Sequence, residues 1–216
     1  MMYVMKKIFL VGVYLIFAMS ARAECTYRTP DVLIKTKPGI VKYVTNMSRE
    51  EYAKHLNLNL PENNLGLTTN KISASYEVVP FQRREGNKTC VGIRRIVFSI
   101  GSDVIYVFID KKYKAGSCEF NTIKEHEKFH VAVTQQAMSF FKPDLERTIK
   151  QAVKKIKPEY VYTGERAQAV LENQARQVMK DIDPIINHIN KKIEEKNAII
   201  DTPESYQATT ALCKNW

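Results

Sequence analysis

The residues best suited to chemistry are two histidines and a glutamate in one short segment, His126-Glu127-Lys128-Phe129-His130. Four residues of an α-helix advance by roughly 400°, so His126 and His130 would project from one face, a turn apart. Two imidazole nitrogens at this spacing can each reach one Zn²⁺ at about 2.0–2.1 Å. The spacing therefore predicts a metal site with Zn²⁺ as its cofactor.

Glu127 stands three residues before His130, on the flank of the same helical face. Its carboxylate would lie near the metal without easily becoming a ligand. From there it can take a proton from a water molecule whose pKa zinc lowers to about 7, and later protonate a leaving amine. Hydrolysis of an unactivated amide needs these groups, so Glu127 is the predicted catalytic base.

Residues 126–130 match the HExxH signature, and in this segment the chain resembles the zincin metallopeptidases. The order of export signal, β-hairpin, Gly-Ser-Cys lead-in, HExxH helix and helical C-terminal half looks like that of bacterial secreted proteins described as predicted zinc-dependent proteases. The resemblance implies His126 and His130 as metal ligands and Glu127 as the base. It also implies that residues 106–109, in the strand before the helix, form an edge for an extended substrate.

A zincin site takes a third protein ligand, and the sequence leaves its identity open. The segment after His130 has neither the glycine nor the third histidine of the extended metzincin motif. The candidates come from later parts of the chain: Glu159, Glu165, Glu172, His188, Asp201 and Glu204. Four tyrosines could stabilise an oxyanion, although packing is the simpler expectation for each: Tyr106, Tyr160, Tyr162 and Tyr206.

The first 23 residues have the features of an export signal. Lys6 and Lys7 are followed by an uncharged apolar stretch over 8–19, and Ala21 and Ala23 are the small residues that a signal peptidase recognises. The apolar stretch is shorter than the roughly 20 residues of a membrane-spanning helix. We expect cleavage after Ala23, no stable membrane span thereafter, and a periplasmic or secreted product.

The net charge of +10 becomes +7 when Lys6, Lys7 and Arg22 leave with the signal. The remaining basic residues are dispersed over predicted helices, so nucleic acid is not an expected partner. The expected partner is a peptide or an amide-containing polymer of the cell envelope, and the oligomeric state stays open.

Four cysteines remain after cleavage, and an even number in an oxidising compartment predicts two disulfides. Three pairings are open to them. The favoured one joins Cys90 to Cys118 across a predicted hairpin and Cys25 to Cys213 between the termini.

The expected fold class is α+β, with a small, mostly antiparallel sheet followed by a helical C-terminal half. A single domain should cover 24–216, β-rich over 24–115 and helical over 118–216. The predicted strands are 31–35 and 40–45 around a Lys37-Pro38-Gly39 turn, 72–79, and a hairpin of 90–99 and 104–109 joined at Gly101-Ser102-Asp103.

The first half of the chain has one short helical signal, and the second half is mostly helical. Ser48 and Glu51 form a capping box that opens a short helix through His55. Periodicity predicts a helix over 121–141, a separate helix from Pro143 to Lys157-Pro158, and a long helix over 164–198 kinked near Pro184. Asp201-Thr202-Pro203-Glu204 predicts the cap of a last short helix.

These features favour a secreted or periplasmic zinc-dependent peptidase that hydrolyses amide bonds with Glu127 as general base. The alternative is a non-enzymatic cell-envelope binding protein whose metal site is structural or vestigial.

Overall fold

A computed structural model describes residues 24–60, 64–69, 71–162, 164–214 and 216. The predicted signal, residues 1–23, lies outside the described residues. Along the chain the elements are β1 (Asp31–Val44), α1 (Arg49–Leu56), β2 (Gly66–Thr68), β3 (Ser73–Glu85), β4 (Lys88–Ile109), α2 (Cys118–Val153), β5 (Glu159–Val161), α3 (Gly164–Ile200) and α4 (Pro203–Thr210). Four strands of a five-stranded sheet precede the two long helices, and β5 lies between the helices, which confirms the α+β class.

Strand β4 is the centre of the sheet. It pairs with β1 in parallel along one edge, and β5 continues that edge in antiparallel pairing. The opposite edge pairs antiparallel with β3 and then with β2, whose Leu67 is opposite Phe108. Three of these four pairings are antiparallel, as the sequence predicted. The short strand β2 is thereby held at the end of β4 that leads into α2.

The predicted hairpin at Gly101-Ser102-Asp103 is wrong, because β4 runs through these residues without turning. Gly101 serves close backbone packing instead: its φ is 136°, and a Cβ there would lie 2.0 Å from the carbonyl oxygen of Lys37 on β1. A glycine inside a strand often marks such an approach rather than a turn. The hairpin of the sheet lies between β3 and β4, where Glu85 pairs with Lys88.

The predicted turn at Lys37-Pro38-Gly39 is also wrong, since β1 continues across it. Among the described residues, β1 pairs with β4 on one side and with no strand on the other, so β1 is an edge strand. An edge strand tolerates proline because its outward side needs no ladder hydrogen bond. Gly39, with φ 85°, accommodates the local irregularity against Ile105.

Helix α2 does not end before Pro143, contrary to the prediction of two helices. Proline inside a helix costs about 3 kcal/mol through its missing hydrogen bond and its ring clash. Beyond Pro143, however, Leu145, Ile149 and Val153 are buried in the main core. Burial of each such side chain contributes about 1.5–3 kcal/mol, which together exceeds the cost of the proline. Helix α3 runs through Pro184 as one long helix, as the sequence predicted.

Both long helices pack on one face of the sheet. Alternate residues of β4, Ile96, Phe98 and Ile100, share a core cluster with side chains of α2 and α3. A second, smaller cluster joins the other end of β4 to the beginning of α2 and contains Ile105, Val107, Ile109, Ile123 and Val131. This smaller cluster fixes the first turns of α2, which carry the histidines, against β4.

Two disulfides form, as predicted, but their pairing is Cys25–Cys90 and Cys118–Cys213. The favoured pairing, Cys90–Cys118 with Cys25–Cys213, is wrong because it relied on a hairpin. From Cys90 to the end of β4 the chain advances roughly 60 Å at about 3.3 Å per residue. The nine residues that follow span at most about 30 Å, so Cys118 cannot return to within the about 7 Å that a disulfide needs.

The described part of the chain contains no helix that is both long and apolar enough to cross a bilayer. Two disulfides fit an oxidising compartment, either the periplasm or the outside of the cell.

Candidate metal centre

Helix α2 brings His126 and His130 together near its start. Ser117 caps the helix, its hydroxyl accepting from the Phe120 N–H, and both imidazoles are buried, 8% and 5% exposed. Their Nε2 atoms are 3.3 Å apart. The two rings therefore converge on one point from successive turns, as the spacing in the sequence predicts.

The third member of the group is Asp201, directly after α3. Its backbone N–H donates to the carbonyl of Asn197 in the last turn of that helix, and Thr202 next to it caps α4. Asp201 Oδ1 lies 3.1 Å from His126 Nε2 and 3.1 Å from His130 Nε2. The side-chain atoms of His126, His130 and Asp201 thus form a nearly equilateral triangle.

The dimensions of this triangle fit a metal ion. Tetrahedral coordination with bonds of about 2.0–2.1 Å separates neighbouring ligand atoms by about 3.3–3.4 Å. The three observed separations, 3.1, 3.1 and 3.3 Å, are within a few tenths of an ångström of that value. The group could hold a metal ion, and the geometry alone leaves the identity of the metal open.

The protonation equilibria favour a positive charge at the same point. Burial by itself would raise the pKa of Asp201, but hydrogen bonds with His126 and His130 outweigh it and hold that pKa well below the usual 3.8. Burial disfavours the charged His130 ring, yet hydrogen bonds with Asp201 and Asn197 raise its pKa above the usual 6.5. The site therefore stabilises a cation, whether a proton or a metal ion.

Glu127 is almost completely buried, with 2% of its surface exposed. Burial raises the pKa of its carboxyl, against the opposing effects of a hydrogen bond from Thr68 and the two nearby histidines. Thr68 Oγ1 donates to Glu127 Oε2 at 2.7 Å. The carboxyl group is therefore held in one position, and its raised pKa brings it closer to the range useful for proton transfer.

Strand β2 passes directly over this carboxyl group. A Cβ on Gly66 would lie 2.7 Å from Glu127 Oε1 and 2.8 Å from Ile123 Cγ2. Only glycine leaves room for the side chain of Glu127 at this point. Sequence reasoning missed both Gly66 and Thr68, because β2 has three residues and no pattern long enough to distinguish it from a loop.

A cavity of about 270 Å³ opens beside the group. Tyr206 in α4 lines it, and its hydroxyl donates to Asp201 Oδ1 at 3.1 Å. Burial and the charge of Asp201 raise the pKa of Tyr206, so the phenol stays protonated. The full lining is Leu58, Asn64, Gly66, Leu67, Thr68, Thr69, Glu127, His130, Asn197, Asp201 and Tyr206. Of the four tyrosines considered from sequence, Tyr206 is the one in this cavity.

Among the candidates for a third ligand, Asp201 is the one brought to the histidines. Glu159 lies in β5 and pairs with Val91, at the opposite end of the sheet. His188 is exposed on α3, with its ring against Phe141. Glu172 and Glu204 are exposed and outside the group, and the side chain of Glu165 lies outside the described part.

The expected substrate edge at residues 106–109 is wrong, because β1 and β2 flank this part of β4 on both sides. Within the described ranges, β2 has no strand on its side away from β4, so the open edge beside the cavity belongs to β2. The Thr69 N–H donates to the Tyr106 carbonyl, and Thr69 Oγ1 accepts from the Tyr106 N–H, so Thr69 and, by strand alternation, Leu67 direct their backbone N–H groups toward β4. Gly66 and Thr68 then direct their backbone N–H and C=O groups away from β4.

Comparison with known proteins identifies no relatives: no protein-family model, no curated protein and no solved structure matches the chain.

Proposed function

We propose that this protein is a zinc-dependent peptidase that acts in the periplasm or outside the cell after cleavage behind Ala23. The observation that carries the proposal is the convergence of His126, His130 and Asp201 on one point, 3.1–3.3 Å apart, beside the buried carboxyl group of Glu127. The match of residues 126–130 to the HExxH signature of zincins and the two disulfides of an exported protein add support.

Zinc is the metal we propose because two imidazoles and one carboxylate are a donor set that it commonly uses. Three protein ligands leave a coordination position open, which is typical of catalytic rather than structural zinc sites. When bound in such a site, zinc lowers the pKa of water to about 7 and polarises a carbonyl group.

Glu127 would act as the proton carrier. Its carboxyl group accepts the proton of the attacking water and delivers it to the nitrogen of the leaving amine. Thr68 holds one carboxyl oxygen, Oε2, so that Oε1 is left to exchange the proton. Tyr206, whose phenol stays protonated, would turn its single O–H from Asp201 Oδ1 to the oxygen that gains negative charge.

The open edge of β2 favours an extended peptide as substrate. Outward-facing backbone groups of Gly66 and Thr68 can add a peptide strand to the sheet, and Glu127 lies directly under the same two residues. An amide cross-link of a cell-envelope peptide has the same reacting bond and belongs to the same class of substrate.

The test compares Glu127→Gln with Glu125→Gln, the same substitution at an exposed position two residues earlier. We expect Glu127→Gln to retain the zinc content of the wild type and to lose hydrolysis of a mixed peptide library and of envelope cross-link peptides. His126→Ala should lose both. Unchanged hydrolysis by the Glu127→Gln protein would end the catalytic proposal.

The burial of Glu127 supports a second candidate, a cell-envelope binding protein with a structural metal ion. A carboxyl group with 2% exposure, covered by Gly66 and bonded to Thr68, has little access to a substrate in this conformation. In that case neither wild type nor Glu127→Gln would hydrolyse peptides, while zinc would still raise the thermal stability of both.

A further inference from the structure

Asn197 forms a hydrogen bond with His130 on the side of the ring that faces away from His126 and Asp201. It lies in the last turn of α3, one turn before Asp201, and is 7% exposed. Its Oδ1 atom is 3.0 Å from Nδ1 of His130, the ring nitrogen that faces away from the triangle. One rigid helical turn therefore connects the carboxylate that faces His130 Nε2 with the amide that faces His130 Nδ1.

The chemistry of this contact determines which nitrogen of His130 carries hydrogen. An amide oxygen only accepts hydrogen bonds, so Nδ1 must be the N–H that donates to Asn197. A neutral imidazole with hydrogen on Nδ1 presents a lone pair at Nε2. That lone pair faces Asp201 Oδ1 and His126 Nε2, so a metal ion between these three atoms would find the lone pair of His130 directed at it.

We propose that Asn197 is a positioning residue of the metal centre, which holds His130 in the ring orientation and tautomer that bind a metal ion. In the opposite amide orientation, Nδ2 of Asn197 would donate to Nδ1 of His130, so the ring hydrogen of His130 would lie on Nε2. That hydrogen would be donated to Asp201, and Nε2 could then not bind a metal ion. Nδ2 of Asn197 is buried and has no hydrogen-bond partner within the described residues, so the bond to His130 alone orients the amide. The inference rests on the proposed metal centre and is independent of peptidase activity.

The first test measures zinc affinity by competition with a chelating dye, without any substrate. Asn197→Leu removes the acceptor and should weaken zinc binding by about 10- to 100-fold, the range for lost partners of ligating histidines. Asn197→Asp keeps an acceptor at the same place and should restore most of the affinity.

Asn190→Leu is the matched control. Asn190 lies two turns earlier on the same helix and also uses its amide, which bonds the backbone N–H and C=O of Ile72 at 2.8 and 2.9 Å. Its loss should lower stability without changing the zinc affinity of the folded protein. Equal zinc affinities of the Asn197→Leu and Asn190→Leu proteins would overturn the proposal.

The second test reads the tautomer directly from ¹⁵N-edited NMR spectra of the histidine rings in the zinc-loaded wild type and in Asn197→Leu. We expect a slowly exchanging Nδ1–H on His130 that is lost in the variant. A wild-type ring with hydrogen on Nε2, or a wild type that binds no zinc, would refute the inference. A protein that binds zinc, shows the Nδ1–H and hydrolyses no peptide would refute only the proposed function.

Discussion

Replacing Gly66 by alanine would add one methyl group between strand β2 and the carboxyl group of Glu127. The new Cβ would lie 2.7 Å from Glu127 Oε1 and 2.8 Å from Ile123 Cγ2. Ile123 belongs to the packed cluster under α2 and cannot move freely, whereas Glu127 Oε1 is the end of a flexible side chain. We therefore expect the carboxyl group to be displaced, by roughly 0.7 Å if ordinary van der Waals contact is restored.

Two consequences of this displacement can be measured. Overpacking of a filled site lowers the free energy of unfolding by about 1–3 kcal/mol. A catalytic group misplaced by about 1 Å can lose about 100-fold in rate, so we expect turnover to fall by roughly 10- to 100-fold. Zinc content should be unchanged, because the atoms nearest to the added Cβ belong to Glu127 and Ile123 and not to the three proposed ligands.

Gly92→Ala is the control for the stability loss alone. A Cβ on Gly92 would lie 2.9 Å from Cβ of Pro158, a comparable overlap at the opposite end of β4. Urea denaturation and peptide hydrolysis of both variants, compared at equal folded fraction, separate the two effects. Wild-type turnover in Gly66→Ala, or an equal loss of turnover in Gly92→Ala, would refute the reasoning that β2 packs directly on the catalytic carboxyl group.

Two further predictions concern the metal centre. Each disulfide closes a long loop, with sequence separations of 65 and 95 residues, so replacing either pair by serines should lower the free energy of unfolding by about 4–5 kcal/mol through loop entropy. Only the Cys118→Ser/Cys213→Ser variant should also weaken zinc binding, since that bridge ties the start of α2 to the segment after α4. Equal zinc affinities of the two double variants would contradict this expectation. Because the pKa of His130 is raised above 6.5, its contribution to the stability of the metal-free protein is complete below about pH 6.5 and is lost as the pH rises through the raised value. Zinc competes with that proton, so the increase in Tm on adding zinc should grow from about pH 6 to about pH 8, and a pH-independent increase in thermal scans would contradict a role for His130 as ligand.

The local signals of the sequence located the starts of α1 and α4, although the break in α2 predicted at Pro143 is wrong. The capping box of Ser48 and Glu51 forms as predicted, with both reciprocal hydrogen bonds, and Thr202 with Pro203 opens the last helix. These features depend on residues three positions apart, so their energetics are contained in short segments. The same holds for the one-turn spacing of His126 and His130, which follows from helix geometry alone.

Glycine and proline led to the wrong interpretation of β1 and β4, because both residue types occur in turns and also in irregular strands. Gly101 and Gly39 allow β1 and β4 to approach, and Pro38 sits on an open edge. The pairing partner that distinguishes these cases is more than sixty residues away. The wrong hairpin then led directly to the wrong disulfide pairing.

By itself, the sequence determined the number of disulfides, the α+β class and the face of α2 that carries two histidines and a glutamate. It also predicts the export signal. Only the tertiary structure selected Asp201 from six candidates, laid Gly66 and Thr68 over Glu127, and set Asn197 behind His130. These contacts join residues 59–75 positions apart along the chain. They arise when two long helices bury their apolar faces on the same side of one sheet, and no local pattern in the chain encodes where that packing brings their ends.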